Sequence, residues 1–429
     1  MHPAFLHAAD DGAAGGQPLR VLIGADAYPP EVGGTALSVR GLPGELAARG
    51  HDVHVVCRSR HGPPRAGREG DVMVYRLRSV PLPGSRAGRT ALPPLLTGPV
   101  RRLTELLVGR IAPDVAHVHG ASAVARAVLG AARAQGVPVV ASAEPLPEPT
   151  SVAARLTWRD AVRAFGLAGH VTAPTEAAAR LLAAAGLARP VETVPGGVDL
   201  SRFRPPEEPR SRARGLLGLP DRATVLSVGR LDARARQEDL IRALAYVCRR
   251  LDVQAVLVGG GPRRARLQRL ARRCGLTGRV HVLDPVPEET LPLLYAAADV
   301  LAVPGAAGSE SAATLEALAS GLPVVAAGSG APGRLVLPGR TGHLYAPGDV
   351  RALARRLAGT LAEEASDAMG GVCRAVAATH DRVRTVTRFE EIYVSLARTR
   401  RRPLPDVRTS CPPPAPGTPA PARRSGGPW

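Results

Sequence analysis

Three places in the chain join small or polar residues to the start of a helical pattern, an arrangement that suits an anionic ligand. Gly33 and Gly34 follow the apolar run RVLIGADAY and precede a helix beginning near Thr35. Lacking side chains, they let backbone N–H groups approach a phosphate where the helix dipole favours negative charge. A plain tight turn explains the same two residues equally well. Gly259, Gly260 and Gly261 follow a second apolar run, QAVLVG, and divide between a nucleotide-side loop and a simple turn. The stretch from Ser309 to Ala312, containing Glu310 and Ser311, opens a further helix whose N–H groups can also face phosphate. Arg230 closes the run TVLSVGRL. A guanidinium there can grip a diphosphate in two-point fashion, or pair with a surface carboxylate. His117 and His119 alternate along PDVAHVH, as satisfied structural histidines or as catalytic ones.

The elements that must hold these residues read as two α/β series. In the first, RVLIGADAY, HDVHVVC, GDVMVYRL, PDVAHVH and VPVVAS are strand-like, with an alanine-rich helix from about Ala121 to Gln135. In the second, TVLSVGRL, QAVLVG, RVHVL, DVLAVP, PVVAA and TGHLY are strand-like, and EDLIRALAYVCRR sets Leu240, Ile241, Leu244 and Val247 on one helical face. Strands alternating with helices predict parallel, doubly wound sheets. The expected fold class is therefore α/β, with two Rossmann-like domains facing each other across a cleft. Ligands of such sheets bind beyond the carboxyl ends of the strands. The expected division is a disordered leader over 1–17, a first domain over 18–200, a linker over 201–220 and a second domain over 221–380. A C-terminal helix over 381–398 is expected to return to the first domain, ahead of a disordered Pro/Arg-rich tail over 399–429.

Composition narrows the function classes. The 429 residues carry a formal net charge of +19, yet the chain has no lysine and no asparagine. Arginine, alanine, glycine and proline dominate, the signature of a GC-rich bacterial genome. No aromatic residues interleave with the arginines as a single-strand stacking platform requires, so nucleic acid is not the expected partner. No apolar run is long enough to span a bilayer, and no secretory signal pattern opens the chain. Cys57, Cys248, Cys274, Cys373 and Cys411 are scattered without metal spacing, which fits a reducing cytoplasm. Between Pro99 and Ile111, Val100, Leu103, Leu107 and Ile111 share a helical face, with Arg101, Arg102 and Arg110 elsewhere. That face suits either a lipid interface or an ordinary packed helix.

Several segments together resemble the family 4 glycosyltransferases of the GT-B architecture. GADAYPPEVGGTA, ELAARGHDVHVVC, PDVAHVHG, VPGGVDLSRFRP, SVGRLD, LVGGGP, LYAAADVLAVP, LEALASGLPVVAAGSGAP and GRTGHLYAPGD follow in that family's order, from about Leu19 to Leu396. SAATLEALASGLPVVAA looks closest to bacterial members acting on lipids or glycans. The resemblance implies transfer of a sugar from a nucleotide diphosphate sugar, with retention of anomeric configuration, to a lipid, glycan or small-molecule acceptor. It implies a cytoplasmic enzyme, at most peripheral on the inner membrane face, that needs no metal or other cofactor. Arg230 would pair with the donor diphosphate and Glu316 would accept hydrogen bonds from the ribose hydroxyls. Arg230 and Glu310 take the catalytic positions. Gly33, Gly34, Arg234, Arg236, Gly260 and Ser311 complete the donor set.

The chain also departs from that pattern. The family's second diphosphate-binding residue is a lysine, and the aligned position here is Ala235, flanked by Arg234 and Arg236. The first glutamate of the family's pair falls on Gly308, with Glu310 the nearest carboxylate. A donor-contacting histidine is replaced by Glu144, and Pro43 is expected to interrupt the helix after the glycine loop. A nucleotide-sugar-binding homologue without catalysis is therefore the alternative. A nucleotide-dependent oxidoreductase is disfavoured, because GGGP lacks the G-x-G-x-x-G spacing.

Overall fold

The computed structural model describes residues 17–26, 28, 39, 41–59, 65–78, 94–143, 152–305, 312–328 and 335–401. The leader, the tail from 402 onward, and Gly33, Gly34, Glu144, Gly308, Glu310 and Ser311 lie outside the described residues.

The first sheet comprises β1 (Arg20–Gly24), β2 (Asp52–Ser59), β3 (Arg65–Glu69), β4 (Val72–Arg78), β5 (Val115–His119), β6 (Val139–Ser142), β7 (His170–Ala173) and β8 (Val191–Thr193). Their spatial order is β3-β4-β2-β1-β5-β6-β7-β8. All neighbours are parallel except β3 and β4. Both faces are apolar, as a sheet covered on two sides requires. Leu22, Val56, Ala116, Val118 and Ala141 pack under the helix Ala123–Ala134 on one face. Val21, Ile23, Val53, Val55 and Val140 meet Leu42, Leu46, Phe389 and Tyr393 on the other. The second sheet comprises β9 (Ala223–Val228), β10 (Val253–Val258), β11 (Val280–Leu283), β12 (Val300–Val303), β13 (Val324–Ala327) and β14 (Gly342–Tyr345). It is wholly parallel, in the order β11-β10-β9-β12-β13-β14.

Three details bear on the sequence reading. Pro43 stands in the first turn of the helix Leu42–Ala48, which Gly41 at φ +85° sets off from helical Val39, so the helical path does break at this place. In a first turn its missing N–H has no intrahelical partner to lose. The segment 201–220 is not a bare linker. It carries the helix Arg210–Leu216, whose Arg214 bonds Asp299 at 2.7 Å and so ties it to the second unit. In the helix Pro94–Ile111, Leu107 and Val100 pack on the first core and Ile111 is buried, so the expected apolar face is largely consumed by packing. Leu103 and Leu106 are left exposed.

Two chain crossings join the units. The segment after β8 meets the start of the helix Arg382–Arg401, where Val198 N–H donates to the His380 carbonyl and Arg382 N–H to the Val198 carbonyl. The helix then lies on the first sheet, with Glu390 holding Arg49 at 2.7 Å and Tyr393 reaching His117 at 2.5 Å.

Candidate functional site

In the second sheet the chain leaves β9 toward β10 on one side and β12 toward β13 on the other. The crevice between the carboxyl ends of β9 and β12 is the switch point where doubly wound sheets take ligands. Three glycines build its floor. A Cβ on Gly259, at φ +149°, would lie 1.8 Å from the Gly229 carbonyl oxygen, and one on Gly261 would lie 2.3 Å from that of Leu231. The loops after β9 and β10 therefore touch backbone to backbone, sealed by Leu231 N–H donating to the Gly260 carbonyl at 3.0 Å. This packing alone accounts for Gly259 and Gly261. Gly260 is the middle residue, with its Cα facing Pro285.

Arg230 lies two residues beyond β9, with its side chain about one-third exposed. Its Nε donates to Asp232 at 3.1 Å, and its carbonyl accepts from Gln237 at 2.9 Å. Asp232 in turn accepts the N–H groups of Arg234 and Ala235. Burial works against the charged carboxylate, but Arg230 and the two N–H groups outweigh it and hold Asp232 below the usual carboxylate range. The carboxylate thus fixes both the arginine and the turn that follows. That turn reaches the far wall of the crevice: a Cβ on Gly305, just beyond β12, would lie 2.4 Å from the Arg234 carbonyl and 3.0 Å from the Ala235 Cα.

The two neighbouring arginines differ. Arg234 is exposed. Arg236, in the left-handed region at φ +51°, directs its guanidinium onto Asp239 at 2.7 Å and approaches Gly348. The arginine substitution expected around Ala235 therefore finds Arg236 already committed to a buried carboxylate.

Glu316 sits in the helix Ala312–Ala319, buried at 6% exposure. Tyr295, itself fully buried, donates its hydroxyl to Glu316 Oε2 at 2.8 Å. The carboxylate lines a small cavity with Gly197, Asp199, Arg202, Glu288 and Arg382. This cavity opens at the inter-unit crossing, where Arg382 bridges Asp199 at 2.7 Å and Glu45 at 2.9 Å. Gly197 is obligatory there, since a Cβ would lie 2.5 Å from the Arg382 Cα. Arg382 thus ties a residue of the first unit to the chain passing between the two.

On the first sheet, His117 is fully buried and both ring nitrogens have partners, Tyr393 at 2.5 Å and the Ser142 hydroxyl at 2.7 Å. The structural reading fits it. The His119 ring contacts His117 with centroids 4.1 Å apart and planes tilted by 37°, and its buried Nε2 has no partner among the described residues.

A model described as Glycosyltransferase Family 4 matches residues 32–202, and one described as Glycosyl transferases group 1 matches residues 211–370. A GDP-mannose-dependent alpha-mannosyltransferase of Mycolicibacterium smegmatis is 34% identical over 337 residues, covering 76% of this chain and 84% of that protein. The chain belongs to glycosyltransferase family 4. A GDP-mannose-dependent alpha-(1-6)-phosphatidylinositol monomannoside mannosyltransferase of the same organism is 39% identical over 201 residues, 45% of this chain and 53% of that one. A D-inositol 3-phosphate glycosyltransferase of Nocardia farcinica is 41% identical over 163 residues, 36% of each chain. With these two the match spans about half or less of the relative's length. Sucrose-phosphate synthase from Thermosynechococcus elongatus superposes with a TM-score of 0.71 at 23% identity, covering 89% of this chain and all of that one. HepE of Anabaena, in complex with UDP-glucose, gives 0.69 at 23% identity over 88% of this chain and all of its own. The two-sheet arrangement is the GT-B fold of that family.

Two residues of this candidate site escaped the sequence reading. Asp232 orients Arg230, and its signal is an aspartate two residues after the arginine with N–H donors following, the pattern of an Asx turn. Tyr295 holds Glu316, but within LPLLYAAAD it reads as one more apolar helix position.

Proposed function

We propose that the protein transfers a hexosyl group from a nucleotide diphosphate sugar, of the GDP-mannose type, to a hydroxyl of a lipid or glycan acceptor. The observation that carries this reading is a fixed guanidinium, Arg230, and a buried carboxylate, Glu316, contributed by the two elements flanking one switch point. The mannosyltransferase likeness over 84% of that relative supports the donor class. Relatives named for phosphatidylinositol monomannoside and for D-inositol 3-phosphate support an acceptor bearing a phosphoinositol group.

In the proposed step the bond from the anomeric carbon to the diphosphate oxygen breaks, and the acceptor oxygen bonds to that carbon on the same face. The acceptor proton passes to the departing diphosphate. Arg230 neutralises the charge growing on that leaving group, where a preorganised cation is most effective. Glu316 accepts the ribose hydroxyls. The segments holding Gly33, Gly34, Glu310 and Ser311 supply the remaining donor contacts, as the family resemblance implies. A lipid acceptor would bring the protein to the cytoplasmic membrane face, where exposed Leu103 and Leu106, with exposed Arg102 and Arg110 on the same helix, offer a contact. Among the described residues no helix is long and apolar enough to cross a membrane.

A second reading, donor binding without transfer, is favoured by one observation: Ala235 offers no charge where family members carry lysine, and Arg236 is held by Asp239. Thermal shift and transfer assays with GDP-mannose, UDP-glucose and ADP-glucose separate the two. Transfer or donor hydrolysis supports the enzyme, with the product anomer read by NMR. Binding with neither supports the second reading, and no binding of any nucleotide sugar refutes both.

A further inference from the structure

The first sheet has its own switch point, and a residue read as structural from the sequence stands there with an unmet bond. From β1 the chain moves to β2 on one side, and from β4 it crosses back to place β5 on the other. The crevice beyond the carboxyl ends of β1 and β5 is therefore the ligand position of this sheet by the same rule that locates Arg230 in the other. His119 is the last residue of β5. Its neighbours in the sheet are β1, whose Gly24 is in register with Val118, and β6, whose Ser142 is in register with His119 itself. The side chain is thus rooted between the exits of two loops, those following β1 and β6.

The two histidines of this strand differ in one decisive respect. They lie on one face with their rings in tilted contact, 4.1 Å apart at 37°, and are both buried. His117 satisfies both nitrogens through Tyr393 and Ser142. The Ser142 hydroxyl is in turn 2.7 Å from that of Thr172, so a buried polar chain runs from the C-terminal helix across β5, β6 and β7. His119 takes no part in that chain, and its Nε2 is buried without a partner among the described residues. Buried polar atoms are nearly always bonded, so an orphan at a ligand-binding edge marks a place for a ligand group. Burial also keeps the imidazole neutral, with its pKa pushed down to about 4, which suits a hydrogen-bonding group and not a proton carrier.

We infer that His119 binds the acceptor, its ring nitrogen making a hydrogen bond to an acceptor hydroxyl held at the first sheet's switch point. This rests on the transferase reading above, which gives the donor to the second sheet and leaves the opposite crevice for its co-substrate. The close tilted contact with His117, itself held by Tyr393 and Ser142, restricts the His119 ring, so a polyol acceptor such as an inositol ring would be oriented by its bond.

The test uses the full chain with GDP-mannose as donor and, as acceptor probes, D-inositol 3-phosphate and phosphatidylinositol vesicles. His119→Phe keeps a flat buried ring but removes the polar atom, and His119→Gln can return an amide nitrogen near the Nε2 position. In His119→Phe, kcat/KM for the acceptor should fall at least tenfold. Donor affinity by calorimetry, donor hydrolysis without acceptor and melting temperature should stay at wild-type values. His119→Gln should recover part of the loss. Unchanged acceptor kinetics in His119→Phe, or parallel losses of donor affinity and hydrolysis, would overturn the inference while leaving the transferase reading intact. A wild-type protein that binds donor but transfers to neither probe counts against the phosphoinositol acceptor and against this inference together. A wild-type protein that binds no nucleotide sugar removes the reading on which it rests.

Discussion

Lowering the pH from 7 to 5 should destabilise the first unit through its two buried histidines. Burial pushes the His119 imidazole down to about 4, and His117 lies well below its ordinary value from burial, with the charges of His119 and His170 adding. In the unfolded chain both titrate near 6.5, so between pH 6.5 and 4 the unfolded state binds protons that the fold refuses. Stability is therefore full above that window and falls as the pH drops through it. With the His119 value at about 4, the loss for this residue alone between pH 7 and pH 5 is about 2 kcal/mol, and His117 contributes in the same direction. The depressed carboxylates Asp199, Glu192 and Glu390 lose their stabilisation at lower pH, so they leave this window largely clear. His281 and His343 are depressed too, but they belong to the second sheet. Trp158 packs against the first core, so its fluorescence in urea titrations reports the right unit. The unfolding midpoint should fall steadily from pH 7 to pH 5, and the His119→Phe variant should show a shallower fall by close to one proton. A wild-type midpoint that does not move over this range would refute the reasoning.

Other perturbations follow from single contacts. Arg230→Ala should weaken GDP-mannose binding more than tenfold in calorimetry with little change in melting temperature, since the side chain is partly exposed and its loss falls on the ligand. Ala235→Lys should raise donor affinity or turnover, whereas Arg236→Ala should leave donor affinity unchanged and lower stability by about 1 kcal/mol through Asp239, which keeps Arg242 as a second partner. Tyr295→Phe, which strips the buried hydroxyl from Glu316, should cost about 1.5 to 3 kcal/mol in chemical denaturation and weaken nucleotide binding severalfold. Gly197→Ala should cost about 2 to 3 kcal/mol, since its Cβ meets the Arg382 backbone at 2.5 Å, and a variant melting like wild type would show that the crossing yields.

The parallel strands were legible because their cores are continuous apolar runs, as in VLSV and AVLV, and the switch of period between strand and helix is clear in this alanine- and leucine-rich text. β3 was not, because RAGRE is exposed at every position, shows no apolar alternation and pairs with β4. β7 and β8, also parallel, were missed for a related reason: the four residues HVTA and the three residues VET carry too little pattern to count. For the site, a guanidinium at a strand end drew attention to Arg230, while Glu316 and both donor roles came from the family resemblance and not from residue type. What residue types could not give is direction. Arg234 and Arg236 looked equivalent as neighbours of Ala235, and only the left-handed backbone at Arg236 and the pull of Asp239 separate them. The same holds for His117 and His119, identical in the sequence and opposite in hydrogen bonding.

The arrangement of the crossing explains why the glycines of this chain fall where they do. Gly259, Gly261 and Gly305 lie beside the carboxyl edge of the second sheet, and each lets one loop backbone rest on another. Such contacts leave no side chain to rearrange, so the floor beneath Arg230 is stiff. Gly197 does the same at the junction of the units, but there the partner is Arg382, whose guanidinium bridges Glu45 and Asp199 across partly exposed ground. Ion pairs of that exposure are individually weak and tolerate repacking. The rigid contacts therefore sit under the site and the yielding ones sit between the units. Under the proposed transfer, a cleft that admits two substrates and then excludes water would use that division, bending at the crossing without disturbing the groups beside Arg230.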